Sequence, residues 1–288
     1  MRLSSMVPSS TAAMTWGICV VKSVVTIMSC LLYTSLGFER YRFLEGDYEN
    51  LTKAYLPEDS ILLPEIYSDF QANKDTGKPY FSFSVNVQSH GPYTTTESYS
   101  TVDYLTGDYT EECKNAMDNY MASIMNSDVE LEKLIDQLRT EEEPVVFILF
   151  SDHLPWMGDS NLFYDEMGVD ISGDTEESFL RHYTTEYLIW ANDAAKEVLG
   201  CDFVGEGPTI SPCYLMNVAF GLMGWDGPAF MQAMDDLQEV FPVVTIHNCY
   251  IVDGVFTDAI PAERQDLFNE FLYLQYYWTN EFIFHLEE

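Results

Sequence analysis

Basic residues are scarce: 13 Lys and Arg stand against 47 Asp and Glu in 288 residues, for a net charge of -34. A surface this acidic repels phosphate backbones and argues against a nucleic-acid partner. In bulk, the acidity reads as a solvated exterior. The six cysteines (Cys19, Cys30, Cys113, Cys201, Cys213, Cys249) contain no Cys-x-x-Cys pair, so neither a zinc ribbon nor a thioredoxin-type motif is supported. Cys201 and Cys213 can pair outside the cell, or they are unpaired core thiols. Internal repeats and low-complexity linkers are also missing. Apolar side chains are plentiful: 47% of residues are hydrophobic and 15% aromatic, which argues against a disordered chain. The length suffices for one large domain or two small ones.

The N-terminus reads differently from the rest. From Ala12 to Leu36 the chain is largely apolar, with Lys22 as its only charge. That length suits a membrane-spanning helix or the hydrophobic part of an export signal. A third reading starts from Cys30-Leu31-Leu32-Tyr33-Thr34-Ser35, which looks like the translation of a transposon end used in preparing sequencing libraries. On that reading an adaptor or assembly junction lies near Ser35, residues 1–35 are foreign, and residues 36–288 are the C-terminal part of a longer domain.

The body alternates strand and helix signals. Pro79–Val87 alternates aromatic or aliphatic residues with small polar ones, which predicts a strand. It runs into Gln88-Ser89-His90-Gly91-Pro92-Tyr93, where Gly-Pro breaks regular structure. Between Glu111 and Arg139, Met117, Tyr120, Met121, Ile124, Leu131, Leu134, Ile135 and Leu138 recur at helical spacing. Acids at its start and Arg139 at its end complement the helix dipole. Val145–Phe150, an unbroken apolar run after Pro144, predicts a strand buried on both faces. Further strands are expected at Glu186–Ala191, Val243–Ile246 and Tyr250–Val255, with helices at Pro212–Met223 and Gln265–Phe282. Such alternation predicts an α/β layered domain.

The chemistry gathers after two of these strands. Asp152-His153 follows the apolar run directly, and in open α/β sheets functional groups collect at the carboxyl ends of strands. An Asp oxygen and a His nitrogen suit Mn²⁺, Mg²⁺ or Zn²⁺. By itself the dipeptide equally fits a turn residue followed by a hydrogen-bonded histidine. His90 also ends a predicted strand; it can hold an anionic phosphate or protonate a leaving oxygen, or simply order its own loop. Asn86, Gln88 and Ser89 are placed on the same rim, whereas His182, His247 and His285 read as structural or surface residues.

Taken together, these segments resemble the lipoteichoic-acid-synthase-like phosphoglycerol transferases of the sulfatase/alkaline-phosphatase superfamily, from about Leu36 to the C-terminus. Leu36-Gly37-Phe38-Glu39-Arg40-Tyr41 is similar to the family's Leu-Gly-Phe/Tyr segment. Gln88-Ser89-His90-Gly91-Pro92-Tyr93 resembles its Asn-His-x-Pro-Phe/Tyr turn. Phe147-Ile148-Leu149-Phe150-Ser151-Asp152-His153 resembles its strand and Gly-Asp-His metal motif, with Ser151 for the glycine. Leu154-Pro155-Trp156-Met157-Gly158-Asp159 looks like a subgroup variant of the next loop. Thr184–Asn192 and Ile210-Ser211-Pro212 correspond to the following strand and helix opening.

The resemblance implies a mixed, mostly parallel sheet with helices on both faces, here truncated at its N-terminus. It implies one divalent metal, Mn²⁺ or Mg²⁺, held by a Glu, a Thr and the Asp-His pair, to which Asp152 and His153 correspond. His90 matches the histidine that contacts substrate phosphate. The family's Thr is a nucleophile that forms a covalent phosphoglycerol intermediate. No counterpart of that Thr, of the Glu ligand or of a substrate-gripping Arg is found; Thr11 and Thr15 lack the family context, and no Arg lies between Lys22 and Arg40. The chain as written is therefore expected to be catalytically silent. The implied activity of its parent is transfer of glycerol phosphate from a lipid donor to a cell-envelope glycan or glycolipid, by a membrane-anchored protein at the extracellular face. Other readings are a sulfate or phosphate ester hydrolase of the same fold, or a surface protein with a degenerate site.

Overall fold

The structure, a computed structural model, describes residues 20–21, 40, 42–43 and 58–278. Most of segment 1–35, and with it the choice between foreign sequence and membrane anchor, lies outside the described residues. Among the described residues, no helix is long and apolar enough to cross a membrane. These residues fall into two compact units, one ending at Ala195 and the other beginning at Lys196.

In the first unit, β1 (Val20–Val21) pairs in parallel with β2 (Arg42–Phe43). Arg42 reaches Glu65 at 2.6 Å and Asp69 at 3.1 Å on α1 (Asp59–Lys74). This helix forms despite an interior proline, Pro64, because Leu62, Ile66 and Phe70 recur every four residues and bury one stripe. That stripe packs against Leu134, Leu138 and Val145. The long helix α2 runs over Glu111–Arg139, as its periodicity predicts. Thr110 caps it, its hydroxyl accepting from the Cys113 amide at 3.3 Å. Two buried polar side chains of α2 serve the preceding loop: Asp118 accepts from the amides of Tyr104 and Leu105, while Asn119 donates to the carbonyls of Thr94 and Glu97 and accepts from the Tyr99 amide.

β3 (Val146–Phe150) follows and pairs antiparallel with β4 (Tyr187–Ala191), Val146 opposite Ala191 and Phe150 opposite Tyr187. Between them lie the short α3 (Leu162–Glu166) and α4 (Glu176–Tyr183), the latter opened by a capping box between Thr175 and Ser178. Asn192 locks this junction. Fully buried, it accepts from the amides of Val145 and Ala195 and donates to the carbonyls of Leu138, Glu141 and Glu143.

Two sequence expectations change here. Pro79–Val87 is not a paired strand: Tyr80 alone makes a bridge, and 81–87 carry no sheet pairing. The alternation marks a two-faced extended segment, but its end is tied to the helices by side chains instead of by a ladder. β3 is not buried on both faces either; Val146 is 4% exposed, yet Leu149 and Phe150 at its far end are 40% and 43% exposed. Only β4 flanks it among the described residues, and Phe150 meets Phe83 at 6.2 Å. The α/β class stands, but the described sheet pairs are antiparallel apart from β1–β2, so the mostly parallel sheet is not contained in the described residues.

The second unit holds α6 (Leu215–Leu222), α7 (Ala229–Val240), a three-stranded meander β5 (Val243–Val244), β6 (Tyr250–Val252) and β7 (Val255–Thr257), and α8 (Gln265–Tyr276); α5 (Asp193–Leu199) leads into it. Tyr214, Met234, Leu237, Phe241, Tyr250, Val252, Phe268 and Phe271 form its core. The strand expected over Tyr250–Val255 is broken into a hairpin at Asp253-Gly254, both at positive φ (49° and 78°), the signature of a tight two-residue turn. The four described cysteines, Cys113, Cys201, Cys213 and Cys249, are all free thiols.

Candidate functional site

β3 delivers Ser151-Asp152-His153 beyond its carboxyl end, and the loop is stapled there by the Thr185 hydroxyl donating to the Ser151 carbonyl at 2.8 Å. Asp152 and His153 are open to solvent, their side chains 83% and 58% exposed. Asp152 Oδ2 and His153 Nε2 converge to 3.5 Å. His153 Nδ1 contacts the Leu154 carbonyl at 2.7 Å. A carbonyl only accepts, so Nδ1 carries the proton, and in the neutral ring the Nε2 lone pair is left for a cation. A backbone tether of this kind commonly orients metal-binding histidines.

His90 is built alike: its Nδ1 meets the Gly91 carbonyl at 2.6 Å, and its ring lies edge-on to His153 with centroids 5.8 Å apart. The structure thus brings His90 to the Asp152-His153 pair, from which it is far apart in the chain. Gly91 permits the approach, since a Cβ there would stand 2.6 Å from Trp156 Cβ. Tyr93 braces the turn from below, its hydroxyl donating to the Ser89 carbonyl at 2.6 Å and its ring against Tyr120 and Trp156. Burial pushes the Tyr93 hydroxyl well above its ordinary pKa, which keeps it a neutral donor.

Asn86, Gln88 and Ser89, expected on the rim, turn inward instead. Asn86 donates to buried Asp59 at 2.9 Å, Gln88 accepts from the Asp59 amide at 2.8 Å and donates to the Ser123 carbonyl at 3.0 Å, and Ser89 meets Ser127. Ser127 in turn donates to Asp59 at 2.5 Å. This network fixes the His90 loop onto α1 and α2.

Beside the pair opens a cleft of ≈ 320 Å³, whose walls include Asp152, His153, Trp156, Tyr164, His182 and Tyr183. His182 and Tyr183, at the end of α4, carry no local signal for this role; an amphipathic helix ends in such residues for many reasons. Their rings stack in parallel 4.2 Å apart. Tyr164 donates to the Pro155 carbonyl at 2.9 Å, and burial raises its pKa to about 12.

An Asp oxygen and a His nitrogen at this separation suit a divalent cation in donor chemistry. They make half a shell: among the described residues, no group of three or more His, Cys, Asp or Glu is arranged to hold a metal ion.

Comparison with known proteins adds the following. The Sulfatase family model matches residues 28–225, well over half the chain. A Rhizobium meliloti (strain 1021) protein named for cyclic beta-1,2-glucan modification is 23% identical over 248 residues, covering 82% of this chain and 36% of that protein. The capsular polysaccharide biosynthesis protein RkpI of the same organism is 27% identical over 121 residues, covering 42% of this chain and 20% of its own. The chain therefore spans about a third and a fifth of these curated relatives. Among solved structures, the Listeria monocytogenes lipoteichoic acid synthase LtaP aligns with a TM-score of 0.42 at 16% identity, over 62% of this chain and 43% of that one. With the family model running through the His90 turn, the Asp152-His153 strand end and the cleft beside them, the chain belongs to the sulfatase family.

Proposed function

We propose that this chain is part of a metal-dependent transferase of the lipoteichoic-acid-synthase-like branch, moving glycerol phosphate from a lipid donor onto a cell-envelope glycan at the outer face of a membrane. The carrying observation is the convergence of Asp152 Oδ2 and His153 Nε2 at a strand end in a sulfatase-family chain. The relatives named for glucan modification and capsular polysaccharide biosynthesis support a glycan as the acceptor.

In this reading Asp152 and His153 hold a divalent metal, Mn²⁺ or Mg²⁺, with the Leu154 carbonyl fixing the His153 ring. The metal supplies positive charge against the substrate phosphate. Its need is plain in a chain of net charge -34, whose own field repels a phosphodiester. His90, its Nδ1 donating to the Gly91 carbonyl, donates Nε2–H to a phosphate oxygen when its ring is protonated and takes up a proton on Nε2 when its ring is neutral. The two-residue half-site binds metal weakly, and the chain alone does not turn over substrate.

Calorimetric titration of Mn²⁺ into the 288-residue chain tests this. Asp152→Asn and His153→Gln are each expected to weaken binding about tenfold or more, the scale of losing one ligand of a small set. Binding that is unchanged in the double variant would refute the assignment. Mass analysis of the 288-residue chain incubated with a glycerol-phosphate lipid and Mn²⁺, with and without glycan acceptor, should show no product; any transfer or hydrolysis product would refute the silent half-site.

A further inference from the structure

Metal and phosphate chemistry engage His90, Asp152 and His153 and leave another histidine of the same unit, His182, without a role. It stands in the last turn of α4, half-buried, in the wall of the cleft beside Asp152 and His153. Two contacts fix its ring: Nδ1 meets the Ile171 carbonyl at 2.8 Å, and the ring lies against Tyr183, 9° from parallel with centroids 4.2 Å apart. Because a carbonyl only accepts, Nδ1 carries the hydrogen, and in the neutral ring Nε2 keeps a lone pair. That Nε2 makes no hydrogen bond among the described residues.

A structural role accounts for half of this. Arg181 donates to the Asp170 carbonyl at 2.9 Å and His182 to that of Ile171, so two successive side chains clasp two successive carbonyls and hold the segment before α4 to its end. The clasp uses Nδ1 alone. An asparagine, whose amide nitrogen sits about where Nδ1 does, would serve it without placing a second ring nitrogen in the cleft wall. His153 and His90 carry the same kind of tether, to the carbonyls of Leu154 and Gly91, and there too the backbone takes one nitrogen and leaves the other for chemistry.

The kind of atom left selects a ligand class. With Asp152 and His153 given to the metal, the acceptors remaining in the cleft wall include His182 Nε2 and the Tyr164 oxygen, whose hydrogen is already donated to the Pro155 carbonyl. A lone pair repels a phosphate oxygen, itself an acceptor, and takes an O–H donor. An aliphatic hydroxyl is the matching group. We infer that His182 is a substrate-binding residue of this site, its Nε2 accepting a hydrogen bond from an aliphatic hydroxyl of the ligand. The inference deepens the transferase reading and rests on it for the molecule that carries the hydroxyl, which is either the glycan acceptor or the glycerol of the donor.

The test is NMR of the imidazole nitrogens in the 288-residue chain, in EDTA so that metal plays no part, with methyl β-glucopyranoside and glycerol titrated separately. The His182 Nε2 resonance is expected to move and saturate, and the compound that moves it at the lower concentration names the source of the hydroxyl. His182→Asn keeps the clasp; it is expected to weaken that compound about three- to tenfold, the scale of one neutral hydrogen bond, with the melting temperature nearly unchanged. His182→Gln, which sets an amide oxygen near the place of Nε2, is expected to keep affinity within about threefold while the melting temperature falls, because the clasp is lost. Affinity thus follows Nε2 and stability follows Nδ1; a histidine with only a structural role would show the two falling together, which overturns the inference. An Nε2 resonance that neither compound moves overturns it, as does equal affinity in wild type and His182→Asn. Loss of Mn²⁺ binding in His182→Asn also overturns it, since His182 would then be a metal ligand. Hydroxyl binding through His182 in a chain that fails to bind Mn²⁺ sinks the metal reading and leaves this one; the reverse sinks this one alone.

Discussion

Replacing Asn192 by alanine probes how the site is held. Asn192 is 1% exposed and joins the end of α2, the start of β3 and the start of α5 through one amide. Its oxygen accepts from Val145 N at 3.0 Å and Ala195 N at 2.9 Å, and its nitrogen donates to Glu143 O at 2.8 Å and, more weakly, to Glu141 O and Leu138 O at 3.2 and 3.3 Å. Alanine leaves two backbone N–H groups without this acceptor in a place water does not reach. Each buried orphan costs about 1–3 kcal/mol. Carbonyls tolerate the loss better, having a second lone pair, so the two amides dominate and the expected loss is about 3–4 kcal/mol. Against a typical total of about 5–15 kcal/mol this is large. In urea, with m of about 2–3 kcal/mol/M, the unfolding midpoint should fall by about 1–2 M with m unchanged. A loss under about 1 kcal/mol would show that the junction is not held by this amide.

Further outcomes are expected. Burial pushes the Glu141 carboxyl up, but hydrogen bonds from Lys74, Tyr67 and Gln71 outweigh it and hold the pKa below the usual range. A carboxyl lowered by folding contributes stability above its unfolded pKa of about 4.3 and loses it as pH falls through the folded value. Melting curves of Glu141→Gln between pH 7 and 3 should therefore show a flatter acid limb than wild type; parallel limbs would contradict this. Gly158→Ala places a methyl at φ 83° and 3.0–3.2 Å from the Phe163 ring, so chemical denaturation should register a loss of about 1–3 kcal/mol. Tyr214→Phe should raise the melting temperature, by about 1 kcal/mol of stability, because the buried Tyr214 hydroxyl has no hydrogen-bond partner in the structure. Gly91→Ala should lower the melting temperature by at least as much as Gly158→Ala, since the new Cβ would stand 2.6 Å from Trp156 Cβ and must push the His90 turn off that side chain; an unchanged melting temperature would contradict this.

Local pattern made several elements legible. Eight apolar residues at helical spacing between a Thr cap and a terminal arginine leave α2 little alternative, and the apolar run after Pro144 marks β3. Because a strand end is a natural place for ligands, Asp152-His153 stood out at once. The same reasoning failed where a pattern has two readings. Alternation at Pro79–Val87 identifies faces but not a partner strand. Tyr250–Val255 passes as one strand until Asp253-Gly254 is recognised as a two-residue turn, a signal that was present in the residues themselves. Other features have no local trace: no neighbouring residue marks Asp59 or Asn192 as buried, and contacts with residues dozens of positions away make them hubs.

By itself, then, the sequence determined the long helix, the β3 strand and the chemical identity of the three site residues, because propensity, periodicity and donor type are properties of neighbouring residues. The tertiary structure alone decided that His90 faces His153 and that His182 and Tyr183 wall a cleft beside Asp152 and His153. Those are relations between segments separated by whole helices, fixed by packing and buried hydrogen bonds that no single window of sequence contains.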